Sequence, residues 1–365
     1  METRSTEQII ADYKLLSDIE SDRIIETGLT LLTQLTDDAN RPDRAYVFTR
    51  IGMARINLGE YESAFHALAQ SREIHEELND IEGVLSDQLV FAIIYDLTEQ
   101  QETAFETLLS IRDKARDFKL PELEEAANCN IGHICVDLKR YDEGVGFLQA
   151  AEKIVEKTGN ISHKTAILHE MGRLELERGQ LNEATAYLEE AQLLASDRSD
   201  LFSYEILISL GELYSRLSRF DDALFNLKQS LNLCRDNGIH YGEIQTLYYL
   251  GNLYKEMGEP NTAAEYWECC YNQTDVLTLR QFRIQSGERL VEYYKQEKEF
   301  EKALNVLETN RNEEQDYQHE KLHHTISIYD QSIRIEDLDQ EMQAWRRRSG
   351  ELERIRSDKR NPYGS

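Results

Sequence analysis

The chain is poor in proline, in tryptophan and in long apolar runs. Only 4 prolines interrupt its 365 residues, so backbone donors are present almost everywhere and long helices are permitted. No stretch approaches 18 apolar residues and the opening "METRSTEQIIADYKLL" holds no apolar core of signal-peptide length, so membrane spanning and secretion both lack support. Five cysteines, Cys129, Cys135, Cys234, Cys269 and Cys270, are an odd number without framework spacing. They fit a reducing compartment, and the expected location is the cytoplasm.

Cations are scarce as well. The net charge is −28, which opposes nucleic-acid binding, because phosphate recognition needs clustered cations that release counterions. The exception is 346–360, "RRRSGELERIRSDKR", with seven Arg/Lys against three Asp/Glu. An acidic body of this kind favours basic partners or keeps an extended surface soluble. Catalytic patterns are missing too: there is no phosphate-binding glycine loop, nucleophile elbow, HExxH or paired CxxC. The expectation is therefore a non-catalytic protein without a cofactor.

What the chain does contain is a repeat. Gly52, Ala92, Gly132, Gly172, Gly211, Gly251 and Val291 follow one another at steps of 40, 40, 40, 39, 40 and 40 residues. The residue before each is apolar (Ile51, Phe91, Ile131, Met171, Leu210, Leu250, Leu290), and so is the residue sixteen later (Leu68, Leu108, Leu148, Leu188, Leu227, Trp267, Leu307). Within one copy Leu207, Leu210, Leu213, Tyr214 and Leu217 step by three and four, the stripe of an amphipathic helix. Phe220, Leu224, Leu227 and Leu231 make a second stripe after the polar turn "SRFDD". Each copy thus reads as two antiparallel helices. Small residues twelve apart, such as Gly211 and Ala223, predict that the two backbones approach closely there, since a larger side chain would wedge them apart.

These features resemble the tetratricopeptide repeat. The aliphatic–Gly pair followed by an aromatic stands in "LGELY" (210–214) and "LGNLY" (250–254), and the turn with its alanine in "LGEYESAF" (58–65), "RGQLNEAT" (178–185) and "EKEFEKAL" (297–304). The resemblance implies an all-α fold: a right-handed superhelical solenoid of antiparallel helix pairs, with seven repeats over 41–310. Residues 1–40 are expected to be a capping helix pair and 311–360 a long C-terminal helix. Two departures stand out, the period of 40 rather than the commonest 34, and the second copy, "FAIIYDLTEQQETAF", which lacks the glycines and the turn aromatic.

The family binds ligands on a concave surface built from the first helix of each pair. Carrying over the positions three before, one after and five after the reference residue names Cys129, His133, His169, Arg173, Glu212, Arg216, Tyr248, Asn252 and Glu292 as the expected peptide-binding groove. The lysine with which chaperone-binding members grip a carboxylate is replaced by Thr49, Leu89, Cys129, His169, Ile208, Tyr248 and Glu288, so that clamp is not expected. Cys129, His133 and His169 have zinc-ligand chemistry, but the next equivalent position is Arg173, a cation that opposes metal, and no metal site is expected.

Ile328, Gln331, Ile335, Leu338, Met342, Trp345, Ser349 and Leu352 alternate steps of three and four, a heptad seam suited to a two-stranded coil. A homodimer is expected through its apolar members, Ile328, Ile335, Leu338, Met342, Trp345 and Leu352; a single helix folded back on the array is the alternative. "LDQEMQAWRRRSGELERIRSDKR" also resembles the helices that join bacterial repeat sensors to kinase or cyclase modules. The expected function is a bacterial cytoplasmic signalling sensor or adaptor that binds a protein or peptide. The alternatives are the sensor half of a kinase or diguanylate cyclase protein, or a Rap-type regulator of a response regulator. The segment before the first repeat is short for the N-terminal bundle of the Rap type.

Overall fold

The computed structural model describes residues 6–16, 21–98, 100–196, 203–272, 277–316 and 318. Among them the regular structure is helical, with no strand. Helices α1 (Thr6–Lys14) and α2 (Ser21–Gln34) precede seven pairs. These are α3 (Arg41–Asn57) with α4 (Tyr61–Leu78), α5 (Ile81–Leu97) with α6 (Gln101–Phe118), α7 (Pro121–Asp137) with α8 (Tyr141–Thr158), and α9 (Ile161–Glu177) with α10 (Leu181–Ser196). There follow α11 (Ser203–Arg216) with α12 (Phe220–Asn237), α13 (His240–Glu256) with α14 (Pro260–Asn272), and α15 (Leu277–Gln296) with a last helix, α16, over 300–316. Prolines mark helix starts: Pro42, Pro121 and Pro260 lie in first turns, where the missing N–H removes no bond. Residues 1–319 form one compact unit. The second, 320–365, lies outside the described residues, and with it the expected seam through Ile328, Ile335, Leu338, Met342, Trp345 and Leu352.

The repeat register is a packing register. Every residue just before the reference position is buried, from Ile51 to Leu290. The partner of each reference glycine lies sixteen positions on: a Cβ added at Gly132, Gly172 or Gly211 would stand 2.5 Å from Cγ of Leu148, Leu188 or Leu227. At Gly251 it would stand 2.4 Å from the Trp267 ring. The residue twelve positions on is a lesser neighbour, its carbonyl 3.4 Å from the added atom in the Gly52–Ala64 pair. The glycine makes room chiefly for a large side chain, and the alanine lets the backbones sit at a distance where that side chain fills the gap. Each such leucine, fully buried, stabilises by about 1.5–3 kcal/mol. Leu307 of α16 departs from the pattern at 48% exposed, being on the last described helix.

Helix ends repeat as well. Seven residues after the reference position the backbone turns left-handed, at Gly59, Lys139, Gly179, Ser218, Gly258 and Lys298 (φ 56–80°). The next N–H then bonds a carbonyl five residues back, from Glu60 to Arg55 through Glu299 to Tyr294, at 2.8–2.9 Å. This is the Schellman closure of a helix C-terminus. The second copy keeps the same bond: Gln100 N–H donates to the Tyr95 carbonyl at 2.8 Å. There the Thr98 hydroxyl donates to the Ile94 carbonyl at 2.8 Å and accepts from the Gln100 side chain at 3.1 Å.

At the N-terminal end Ile10, Tyr13, Ile24, Leu31 and Leu35 bury themselves with Val47, Ile51 and Ala54 of α3 and Ala67 of α4. Along the array, first helices of successive pairs touch one another, α3 on α5 through α13 on α15, whereas second helices make no contacts of that extent. Closer spacing on one side curves the stack and makes the first helices its inner lining.

Candidate functional site

Four consecutive first helices, α7, α9, α11 and α13, wall a cavity of about 490 Å³. Its floor is organised around Glu170 on α9. The Glu170 carboxylate accepts from Arg173 Nη1, one turn along the same helix, at 3.0 and 3.2 Å. It also faces His133 Nδ1 of α7 at 3.2 Å. Arg173 Nη1 lies 3.0 Å from the same imidazole nitrogen, and the other ring nitrogen, Nε2, stands 3.7 Å from Asp96 Oδ2 of α5. Three successive repeats are thereby joined through one imidazole.

The electrostatics follow from this layout. Burial alone would raise the Glu170 carboxyl, but Arg173 and then His133 outweigh it and hold the group well below the usual carboxylate range. Burial alone would lower His133, yet the Glu170 carboxylate holds its imidazole up at about 9, so it carries a proton at neutral pH. His169, one residue from Glu170, behaves oppositely. Burial depresses it to about 4, and its Nε2 pairs with Ser209 Oγ of α11 at 3.0 Å. The two histidines thus differ in charge because Glu170 outweighs burial at His133, whereas burial, with Arg173 and His133 beside it, outweighs Glu170 at His169.

The α11 and α13 side of the cavity is acidic and aromatic. Glu205 accepts from the Tyr204 hydroxyl at 3.0 Å, and burial raises its carboxyl. Tyr241, Gln245 and Tyr249 of α13 complete that wall. Arg216 closes the rim, donating to the Leu176 carbonyl and to Glu177, both at 2.8 Å, and to Glu212 at 2.5 Å. The arrangement presents fixed donors and acceptors in a water-accessible hollow. That suits recognition of a polar chain.

Of the nine residues carried over from the repeat pattern, His133, His169, Arg173 and Glu212 line this cavity. Arg216 lies at its edge through the bonds just described. Cys129 is half-buried against the core around Val136 and Leu148, and burial pushes its thiol well up. Tyr248 packs its ring on Tyr249 and Phe282 at 5.7 and 5.8 Å. Asn252 accepts from Trp267 Nε1 at 3.3 Å, and Glu292 pairs with Lys255 at 3.2 Å. The zinc-like trio does not converge: His133 turns to Asp96 and Glu170, His169 to Ser209, and Cys129 to the core.

Pattern reasoning missed Glu170, Ser209 and Tyr249, two before their reference residues, and Glu205 and Gln245, six before theirs. A signal for them exists. Positions six before, two before, one after and five after step by four, three and four, which is one continuous helical stripe. Spacing of four and four alone drifts off that face.

Residues 123–192 match the family model for the tetratricopeptide repeat. Among curated proteins, subunit 4 of the outer dynein arm-docking complex from Bos taurus is 25% identical over 132 residues, which is 36% of this chain and 19% of that protein. The Homo sapiens protein is 24% identical over 147 residues, 40% of this chain and 21% of its own. The chain spans about a fifth of the length of these relatives. Among solved structures, a Rap protein complexed with competence and sporulation factor superposes with a TM-score of 0.65 at 14% identity, over 87% of this chain and 89% of that one. A STAND signal-transduction ATPase with a tetratricopeptide repeat sensor, from Pyrococcus horikoshii, superposes at 0.57 and 15% identity, over 79% of this chain and 46% of that one. At such identities the likeness is one of fold.

Proposed function

We propose that this chain, whose residues 123–192 match the tetratricopeptide-repeat model, is a binding scaffold whose first-helix hollow takes a segment of a peptide or protein. The observation that carries this reading is the hollow from α7 to α13, whose charged floor is fixed by internal bonds before any ligand arrives. Preorganised polar groups lower the ordering cost of binding. Arg173, Tyr241 and Tyr249 supply the side-chain types that dominate binding energy at interfaces. Glu205 and Glu212 favour a ligand that brings donors or a cation rather than an acidic one.

The setting that fits is a bacterial cytoplasmic signalling sensor or adaptor, with the heptad seam beyond residue 320 as its dimerisation element. The test uses the full chain. Random peptides displayed on phage are selected against it, and the winners are measured on a Ser209→Arg variant, which fills the hollow, and a Lys153→Ala variant on exposed α8. Loss of binding with Ser209→Arg and retention with Lys153→Ala is the expected result. Winners that bind both variants equally would place recognition elsewhere. Light scattering on the full chain checks the dimer, and a monomer at high micromolar concentration would remove the seam from the mechanism.

A second reading, action on a response regulator, draws support from the extent of the fold likeness to Rap proteins. That likeness includes an aspartyl phosphate phosphatase from Bacillus subtilis, at a TM-score of 0.56 over 86% of this chain. Adding the protein to a panel of phosphorylated response regulators separates the two. A shortened phosphate lifetime supports this reading, and an unchanged lifetime leaves the scaffold.

A further inference from the structure

We propose that Asp96, His133 and Asp137 form a binding site for a divalent transition-metal ion of the zinc class, at the edge of the hollow. One donor atom from each lies within 4.8 Å of the other two. His133 and Asp137 are four apart on α7 and so project from one face, and Asp96 comes across from the last turn of α5. His133 Nε2 and Asp96 Oδ2 are already 3.7 Å apart. Two ligands about 2.0–2.2 Å from one ion stand roughly 3–3.5 Å from each other, so a small side-chain rotation closes the set.

Two further observations point the same way. The Asp96 side chain is 17% exposed and its Oδ1, beside the Oδ2 that faces His133, is buried without a hydrogen-bond partner, a cost that an ion bound by both oxygens would remove. Behind the imidazole, Glu170 Oε2 faces Nδ1 at 3.2 Å. A carboxylate there accepts from Nδ1–H and fixes the ring, as carboxylates behind metal-bound histidines do, and the ion replaces the proton that Nε2 otherwise carries toward Asp96. Arg173 Nη1 stands 3.0 Å from Nδ1 and its charge also reaches Asp96 and Asp137, so it offsets part of their negative charge while occupying none of the three donor positions. That is why the cation which argues against a Cys129–His133–His169 set leaves this one open.

Charge closes as well. Asp96, Asp137 and Glu170 bring three negative charges, and Arg173 with a divalent ion and a neutral imidazole brings three positive. One nitrogen and two carboxylates favour zinc or manganese over the all-oxygen preference of magnesium and calcium. Three protein donors also leave coordination open toward the hollow, where water or a ligand's own donor can complete the shell.

The experiment uses untagged, chelator-treated full chain. Co²⁺ serves as the spectroscopic stand-in for Zn²⁺, with Zn²⁺ binding followed by calorimetry. The expected result is one tight ion per chain, with visible d–d bands and no thiolate-to-cobalt charge-transfer band. Asp137→Asn, an exposed change that spares the fold, and Asp96→Asn should each weaken binding by about 10–100-fold, with circular dichroism unchanged. Overturning results are the absence of a tight ion in the parent chain, equal affinity in the parent and Asp137→Asn proteins, or a charge-transfer band that moves the ion to a cysteine.

Discussion

Replacing Gly211 by alanine tests the packing argument at its centre. In an exposed helix interior this change stabilises by about 0.5–1 kcal/mol, because glycine loses more backbone freedom on folding. At Gly211 the new methyl would sit 2.5 Å from Leu227 Cγ and 2.6 Å from Cδ2, where carbon atoms prefer about 3.5–4.0 Å. Leu227 is 1% exposed and has no open space to swing into. Overpacking costs roughly 1–3 kcal/mol, so the net change runs from about zero to a loss of about 2.5 kcal/mol. Gly146 in α8 is the control, since nothing lies within 4 Å of its added Cβ, and Gly146→Ala should gain the full helix term. Repeat arrays can unfold in parts, so denaturation midpoints are read together with hydrogen exchange of the α11 and α12 amides. In a Leu227→Ala background the obstructing atoms are gone, and Gly211→Ala should become favourable, a coupling of roughly 1–3 kcal/mol. A Gly211→Ala protein stabilised as much as Gly146→Ala would refute the close-approach explanation.

Other consequences follow from the helix ends and the buried acids. Ser218→Gly relieves a left-handed backbone (φ 59°) and should stabilise by about 0.5–1 kcal/mol; Gly179→Ala (φ 76°) should cost about 1 kcal/mol, both read from denaturation midpoints. Asp87 is fully buried between α3 and α4, accepting from Thr49 at 2.8 Å, with His75 3.9 Å away and Arg72 nearby. Burial pushes its carboxyl from 3.8 up to about 6, against the opposing pull of those neighbours. Because the folded value lies above the unfolded one, its stabilising contribution is complete below about pH 4 and lost as pH rises through about 6, at most roughly 3 kcal/mol. The stability difference between the parent and Asp87→Asn proteins should therefore shift toward the variant across that window, and a difference flat with pH would mean that Asp87 is as acidic folded as unfolded.

Much of the array was legible because one constraint recurs. The apolar residue before each reference position and the large one sixteen later are dictated by a single interior geometry, so they survive as a countable spacing. The closest contact was harder to read. Gly211 and Ala223 stand out as a small pair, yet the atom that forbids a side chain at Gly211 belongs to Leu227, and a leucine among leucines carries no signal of its own. The second copy's turn was obscure for another reason, since it keeps the backbone closure of Gln100 N–H on Tyr95 with added side-chain bonds of Thr98 and Gln100 but without the turn's glycine and aromatic. At the hollow, His133 and Arg173 were found by period, but Glu170, which organises both, was not. A lone glutamate in so acidic a chain looks like a solvated one until its neighbours are in place.

The bonds between successive first helices join residues 37 to 41 positions apart, as in His133 with Glu170, His169 with Ser209 and Ser215 with Glu256. The buried spine steps by 39 or 40. An oily seam and a polar one therefore keep the same measure. A recombination event that inserts one whole unit extends both without a fault, whereas an insertion of any other length throws everything downstream out of phase with both at once. Such a chain lengthens by quanta, and the span of ligand that its inner surface can follow grows in the same steps.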